Sequence, residues 1–211
     1  MNHERICLIG RSSSHFTRVP RIFAHELAVE HDFEPVYDIT STEQRVFADN
    51  PALRVPALRT PAGIWYGSLP VCRELARRSR EPARVLFAED LTEPKASNAQ
   101  EIVSEMMNTE VTVIMARVTG VPGDLPFFDK PKARLAASVA WLDRELPAVL
   151  ASLPPHTLSF LEVSAFCLCT HLEFREIMSI QDRPNLVAFV KRFEARASAQ
   201  KTPYFVDQKP A

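Results

Sequence analysis

Residues 50–79 read NPALRVPALRTPAGIWYGSLPVCRELARRS. Two short apolar stretches, 55–58 and 64–66, flank the turn sequence Thr60-Pro61-Ala62-Gly63. A strand, a Pro–Gly turn and a second strand make a β-hairpin. Ser68 then opens an amphipathic helix, with Ser68 as its cap and Val71, Cys72, Leu75 and Ala76 as its apolar face.

The residues upstream supply the start of the same unit. Ile6 to Ile9 form a short apolar run closed by Gly10, which fits a buried strand. Val19, Ile22, Phe23, Leu27 and Ala28 then recur at helical spacing over 17–30, preceded by Ser12, Ser13 and Ser14, whose hydroxyls can cap free N–H groups. Pro20 is tolerable only in a first turn, so this helix is expected to start at Thr17 to Val19. Residues 33–39 alternate as a second strand, with Pro35 marking an edge position or an early boundary. Residues 41–50 read as a weak, polar helix. Residues 1–79 thus read β-α-β-α-β-β-α.

Residues 80–95 are rich in proline and charge and read as a linker. Beyond them the pattern is helical: about 95–118, 131–150, 159–176 (opened by the capping box Ser159-x-x-Glu162) and 185–198, with a polar segment from Lys201 over the surface. The expected organisation is an α/β domain over 1–80, a linker over 81–94 and an all-helical domain over 95–211.

Composition narrows the function. The chain has 211 residues, 25 Lys+Arg against 26 Asp+Glu. Balanced charge argues against nucleic-acid or membrane-surface binding, both of which need a basic surplus. The 5 glycines permit neither GxGxxG nor GxxxxGK[ST], which excludes those dinucleotide and phosphate loops. No apolar run approaches the ~18 residues of a spanning helix, and the N-terminal run of four is too short for a signal peptide. The cysteines at 7, 72, 167 and 169 show no disulfide-scaffold pattern. Free thiols in the cytoplasm are the expectation.

The order of the motifs resembles the glutathione transferase superfamily. Ser13-Ser14-His15-Phe16-Thr17-Arg18-Val19-Pro20-Arg21-Ile22 is similar to that family's first helix. Asn50-Pro51-Ala52-Leu53-Arg54-Val55-Pro56-Ala57-Leu58 is similar to its Asn-Pro-x-x-Lys-Val-Pro-x-Leu, and Tyr66-Gly67-Ser68 to its acidic-Ser turn. The capping box at 159–162, the stretch 169–176 and Arg183-Pro184-Asn185-Leu186 resemble its later helices. The resemblance implies a thioredoxin-like domain, an all-helical domain, a homodimer and glutathione as cosubstrate, with no permanently bound cofactor or metal.

The resemblance also assigns roles. The Val55–Pro56 peptide would be cis, an isomer within about 0.5–1 kcal/mol of trans. It would turn the backbone of Val55 outward to pair with the cysteinyl part of glutathione; a plain hairpin proline is the alternative. Ser68 and the helix N-terminus would hold the γ-glutamyl carboxylate, unless Ser68 is only an N-cap. Ser14, with Ser13 as the fallback, would donate a hydrogen bond to the glutathione sulfur and lower its ordinary thiol pKa of about 8.5; pattern alone makes these serines loop and capping residues. Arg54 would meet the glycyl carboxylate, or stand as a solvated arginine. His15 either tunes the sulfur or faces solvent, and Arg18 reads as a surface or structural residue.

Gly67 departs from the family pattern, which has Glu, Gln or Asp there to hold the γ-glutamyl ammonium. Either a partner subunit's carboxylate, with Glu101 and Glu105 as candidates, replaces it, or glutathione binds weakly. Cys167-x-Cys169-x-His171 resembles a metal cluster in spacing only, since residues 167 and 171 share a helix face and 169 does not. Phe127, Phe128, Trp141, Met106 and Met107 read as core in preference to an electrophile pocket.

The first functional reading is therefore a transferase joining the thiolate of glutathione to a small electrophile. A non-catalytic binding protein on the same fold is the second, favoured by Gly67. A glutathione-dependent thiol reductase or peroxidase is the third, and the reductase usually has Cys at position 14.

Overall fold

The computed structural model describes residues 5–80 and 83–209. They form two compact units: one of residues up to 85 together with 196 onward, the other of 86–195. Residues 196–209, expected in the helical domain, thus belong to the first unit. Glu81 and Pro82 of the expected linker lie outside the described residues.

In the first unit, strands β1 (Cys7–Gly10), β2 (Asp32–Pro35), β3 (Ala57–Thr60) and β4 (Gly63–Tyr66) form one sheet in the order β2-β1-β3-β4. β1 and β2 run parallel; β1–β3 and β3–β4 are antiparallel, with Leu8 opposite Leu58 and Ile9 opposite Ala57. Period-two alternation puts Leu8 and Leu58 on one face and Ile9 and Ala57 on the other. All four are buried, so both faces are covered. Val36, Phe47 and Ala48 pack with Ile9 and Ala57. Helices α1 (His15–Glu26) and α2 (Ser68–Arg78) pack on each other, and α2 also packs on β3 and β4. Val19, Ile22, Phe23, Val71 and Cys72 are fully buried along them, each worth about 1.5–3 kcal/mol for the larger apolar side chains.

Three local expectations are corrected. The segment 41–50 is one 3₁₀ turn, Gln44–Phe47, and not an α-helix. Ala48 and Asp49 take left-handed conformations and end it, and within the turn itself only Phe47 is buried. The second strand spans Asp32–Pro35 and not 33–39; it lies at the sheet edge as expected, where Pro35 costs no ladder bond. α1 starts at His15, so Pro20 is its sixth residue and not in its first turn.

Pro20 has no N–H to give the carbonyl four residues back, that of Phe16. The Ser68 hydroxyl at the start of α2 donates to that carbonyl at 2.8 Å. The helix interior accepts a proline because its missing hydrogen bond is replaced from a second helix.

Residues 196–209 lie along α1. Glu26, in the last turn of α1, accepts two hydrogen bonds from Arg196 at 3.0 and 3.1 Å and one from Ser198. Thr202 is buried, and Arg18 donates to the Ala199 carbonyl at 3.3 Å with its guanidinium 4.4 Å from the Tyr204 ring centre. The segment expected to be polar surface is anchored by these contacts, although Phe205 and Val206 are exposed.

In the second unit, α3 (Pro94–Val118), α4 (Asp129–Ser152), α5 (Phe160–Phe174) and α6 (Pro184–Glu194) pack as a bundle. α5 is apolar on nearly every side and buried, the signature of a central helix. Phe166 stacks on Phe193 of α6 with ring centres 4.4 Å apart. The Asp143 carboxylate on α4 accepts from the N–H groups of Asn185 and Leu186, capping α6 from outside its own sequence. Ser159 caps α5, but the Glu162 carboxylate turns to His156 instead of closing the capping box. Phe128, Met106 and Met107 are core as expected; Phe127 is 68% exposed and is not.

Two predictions follow from the α1 contacts. Ser68→Ala leaves the Phe16 carbonyl without its donor and should cost about 1 kcal/mol in urea unfolding. In a Pro20→Ala background residue 20 regains an N–H for that carbonyl, and the same substitution should cost only about a few tenths of that. Equal costs in both backgrounds would contradict the replacement. The second concerns acid. Burial pushes the Glu26 carboxyl up, but the hydrogen bonds from Arg196 and Ser198 outweigh it and hold it below its ordinary value of 4.5. A lowered folded-state pKa gives stability that is present above the unfolded value and lost as pH falls through the folded one. Thermal unfolding of Glu26→Gln should therefore fall less steeply below about pH 4.5 than that of the parent chain; parallel acid limbs would remove Glu26 from this role.

Candidate functional site

The candidate residues sit on three connections of the first unit. The loop 11–14 joins β1 to α1, the loop 50–56 leads into β3, and Gly67 joins β4 to α2.

Asn50 builds the middle loop. It is buried; its amide nitrogen donates to the Arg54 carbonyl at 2.9 Å and its oxygen accepts from the Ala52 N–H at 2.9 Å. The chain turns through a left-handed Leu53 inside this clamp. The Val55–Pro56 peptide is cis. Val55 is half-buried, and no hydrogen bond reaches its N–H or C=O among the described residues. A backbone amide and carbonyl on one residue, both without partners, can pair with an extended peptide as an added strand segment does. Arg54 is exposed beside it.

Three links draw the connections together. Ile9 opposite Ala57 sets the end of β1 beside the cis proline. The Gly67 N–H donates to the Pro56 carbonyl at 2.9 Å. The Ser68 hydroxyl reaches the Phe16 carbonyl in the first turn of α1. The starts of both helices and the cis-proline loop are thus tied at one end of the sheet.

This geometry corrects the expected cap and turns the Ser68 hydroxyl toward α1. The N-cap of α2 is Gly67, and Ser68 is the first helical residue, with its hydroxyl committed to Phe16. What α2 offers an anion is backbone: the N–H groups of Ser68 and Leu69, at the positive end of the helix dipole. Pro70 carries no N–H, which limits the number of donors there. Gly67 takes φ 83° and ψ 157°, a region essentially restricted to glycine. Backbone conformation alone thus gives a reason for glycine at this position.

The serine loop separates the three candidate hydroxyls. Ser14 is the N-cap of α1, half-buried, its oxygen accepting from the Thr17 N–H at 3.4 Å. The cap uses a lone pair and leaves the hydroxyl hydrogen to donate elsewhere. The Ser13 hydroxyl is buried and accepts from Arg11 at 2.9 Å. Ser12 is buried; its N–H donates to the Asp207 carboxylate at 2.7 Å, and its hydroxyl makes no hydrogen bond among the described residues. His15, expected in solvent or tuning a sulfur, is buried with its ring 4.6 Å from that of Phe16. The Asp207 contact lies 195 residues from Ser12 in sequence and carries no local signal.

In the second unit Cys167, Cys169 and His171 are all buried on α5. Burial pushes the Cys169 thiol up to about 12, so it is a protonated packing group. His171 pairs with Glu110 at 2.7 Å, and burial pushes the Glu110 carboxyl up against the hydrogen bond that pulls it down. Glu101 and Glu105 are exposed on α3, with Glu105 3.4 Å from Arg134.

Residues 8–83 match the family model described as glutathione S-transferase, N-terminal domain. No curated protein matches the sequence. Among solved structures, the fold is similar to that of a glutathione S-transferase from Methylobacterium radiotolerans in complex with glutathione sulfonate. The two are 21% identical, with a TM-score of 0.70 over 98% of this chain and 99% of that one. It is also similar to a glutathione transferase family member from Pseudomonas fluorescens Pf-5 with bound glutathione, at 20% identity and TM-score 0.78 over 95% and 100% of the two chains. A glutathione S-transferase from Methylobacillus flagellatus KT with glutathione bound gives 20% and 0.74 over 95% and 100%. Residues 8–83 thus match a glutathione S-transferase N-terminal domain, and the fold over nearly the whole length of the chain is that of the glutathione transferase structures.

Proposed function

We propose that this protein is a glutathione transferase-like enzyme that activates the thiol of glutathione for attack on a small electrophile. The observation that supports it most is the joining of the three connections. A cis-proline loop whose Val55 backbone has no partner among the described residues, the N-terminus of α2 and the N-terminus of α1 meet at one end of the sheet. Several solved structures of this fold hold glutathione.

In this reading the Val55 N–H and C=O pair with the cysteinyl residue of glutathione. The Ser68 and Leu69 N–H groups receive the γ-glutamyl carboxylate, and exposed Arg54 receives the glycyl carboxylate. Ser14 keeps its cap bond to Thr17 and turns its hydroxyl hydrogen to the sulfur. The thiol gives its proton to solvent, the thiolate forms a carbon–sulfur bond, and the electrophile's leaving group departs with the electron pair. Ser14 stabilises the anion and is never itself the nucleophile. The protein acts as a homodimer in the cytoplasm. No helix among the described residues is long and apolar enough to cross a membrane.

A non-catalytic binding role on the same fold is the second reading. Gly67 supports it, because it brings no side chain to the γ-glutamyl ammonium. The serine at position 14, where the family's thiol reductases carry cysteine, weighs against the reductase.

The test is a pH titration of the ultraviolet thiolate absorbance of bound glutathione. A hydrogen bond to a charged acceptor is worth about 1.5–3 kcal/mol. Ser14→Ala should therefore raise the bound thiol's pKa by about one unit or more while leaving glutathione bound. Ser14→Thr, which keeps a hydroxyl and a cap, should restore most of the shift. An unmoved titration in Ser14→Ala would remove Ser14 from the chemistry.

A further inference from the structure

The segment 196–209 follows α1 backward. Arg196 and Ser198 meet Glu26 in the last turn; Ala199 and Tyr204 meet Arg18 in the middle; Asp207 meets Ser12 in the loop before the first turn. Each contact is a hydrogen bond, an ion pair or a cation–π pair, and the last one bears on the candidate site. The loop 11–14 is fixed at both ends, by the Arg11 N–H on the Thr17 hydroxyl at 3.2 Å and by the Ser14 carbonyl accepting from the Arg18 N–H at 2.9 Å. The Ser14 N–H returns to the Arg11 carbonyl, and the Arg11 side chain holds both Ser13 and the Tyr37 carbonyl at 2.8 Å. The N–H of Ser12, between them and buried, points to a carboxylate brought from the other end of the chain. A buried backbone N–H that loses its partner is costly, and the loop would rotate to find another. Ser14 is two residues on, so such a rotation moves the hydroxyl that faces the sulfur.

We infer that residues 203–207 form a strap whose Asp207 carboxylate fixes the Ser12 N–H, making Asp207 a positioning residue for Ser14. This inference rests on the glutathione transferase reading for its catalytic consequence, but the strap itself does not. Asp207 touches neither glutathione nor the reacting atoms in this scheme. Its effect passes through the Ser12 amide and the loop, and depends on an acceptor oxygen at that place more than on a charge. Arg21 on α1 also feels the Asp207 charge, although burial, the larger effect, lowers its pKa.

The experiment compares the full chain with Asp207→Ala and Asp207→Asn. Amide hydrogen exchange needs no ligand: the Ser12 N–H should exchange about tenfold faster or more in Asp207→Ala. The Leu8 amide, in the middle of β1, should keep its rate and so excludes general unfolding. With glutathione bound, the thiolate titration of Asp207→Ala should move up by about one unit with KM changed less than kcat. Asp207→Asn keeps an acceptor oxygen and should return both readouts to within about threefold of the parent. Unchanged Ser12 exchange in Asp207→Ala overturns the strap, and a parental thiolate titration in that variant overturns the positioning role. Failure of glutathione to bind the parent chain overturns the enzymatic reading instead, and the exchange result stands apart from it.

Discussion

The site depends on one carbonyl. Pro20 leaves Phe16 without the hydrogen bond that an α-helix would give it, and Ser68 supplies the replacement. The bond has two consequences beyond local stability. It binds the first turn of α1 to the first residue of α2, and it removes the Ser68 hydroxyl from the donors that could meet a ligand. The second link, from Gly67 N–H to Pro56 carbonyl, then places the same turn against the cis-proline loop. Two hydrogen bonds, each worth on the order of 1 kcal/mol, join three segments that are far apart in sequence. They add to the sheet register, in which Ala57 lies opposite both Ile9 and Tyr66.

In the proposed reading this arrangement makes the site a backbone site. Val55 offers an amide and a carbonyl, α2 offers two N–H groups and a dipole, and Ser14 offers one hydrogen while its oxygen caps α1. Recognition through backbone groups needs little from side chains, which fits the coexistence of this geometry with about one-fifth sequence identity to structures of the same fold. Gly67 belongs to the same logic: its left-handed backbone directs the chain into α2 and leaves no side chain there.

The sequence made the strands, the hairpin and the helical half legible because their signals are local: apolar periodicity, turn residues and caps. The resemblance to the glutathione transferases made Val55, Pro56 and Ser68 stand out as a set. What could not be read is long-range. The start of α1 was hidden because Pro20 has its loss repaired by a residue 48 positions later. The α6 cap comes from Asp143 on another helix. Asp207 and Glu26 act across most of the chain, so the segment from Lys201 looked like surface. The turn at 44–47 failed as an α-helix because two left-handed residues follow it, and neither Ala48 nor Asp49 announces that conformation. Among the three serines, spacing could not choose; burial and partners separate Ser14 from the other two.

The central claim is that this backbone site holds glutathione despite the glycine at 67. Calorimetric titration of the purified protein with reduced glutathione tests it most directly. Millimolar affinity or tighter, on the order of −4 kcal/mol or better, is the predicted result. No detectable heat, together with no thermal shift at high glutathione concentration, would contradict it and leave the fold as a binding scaffold for some other partner.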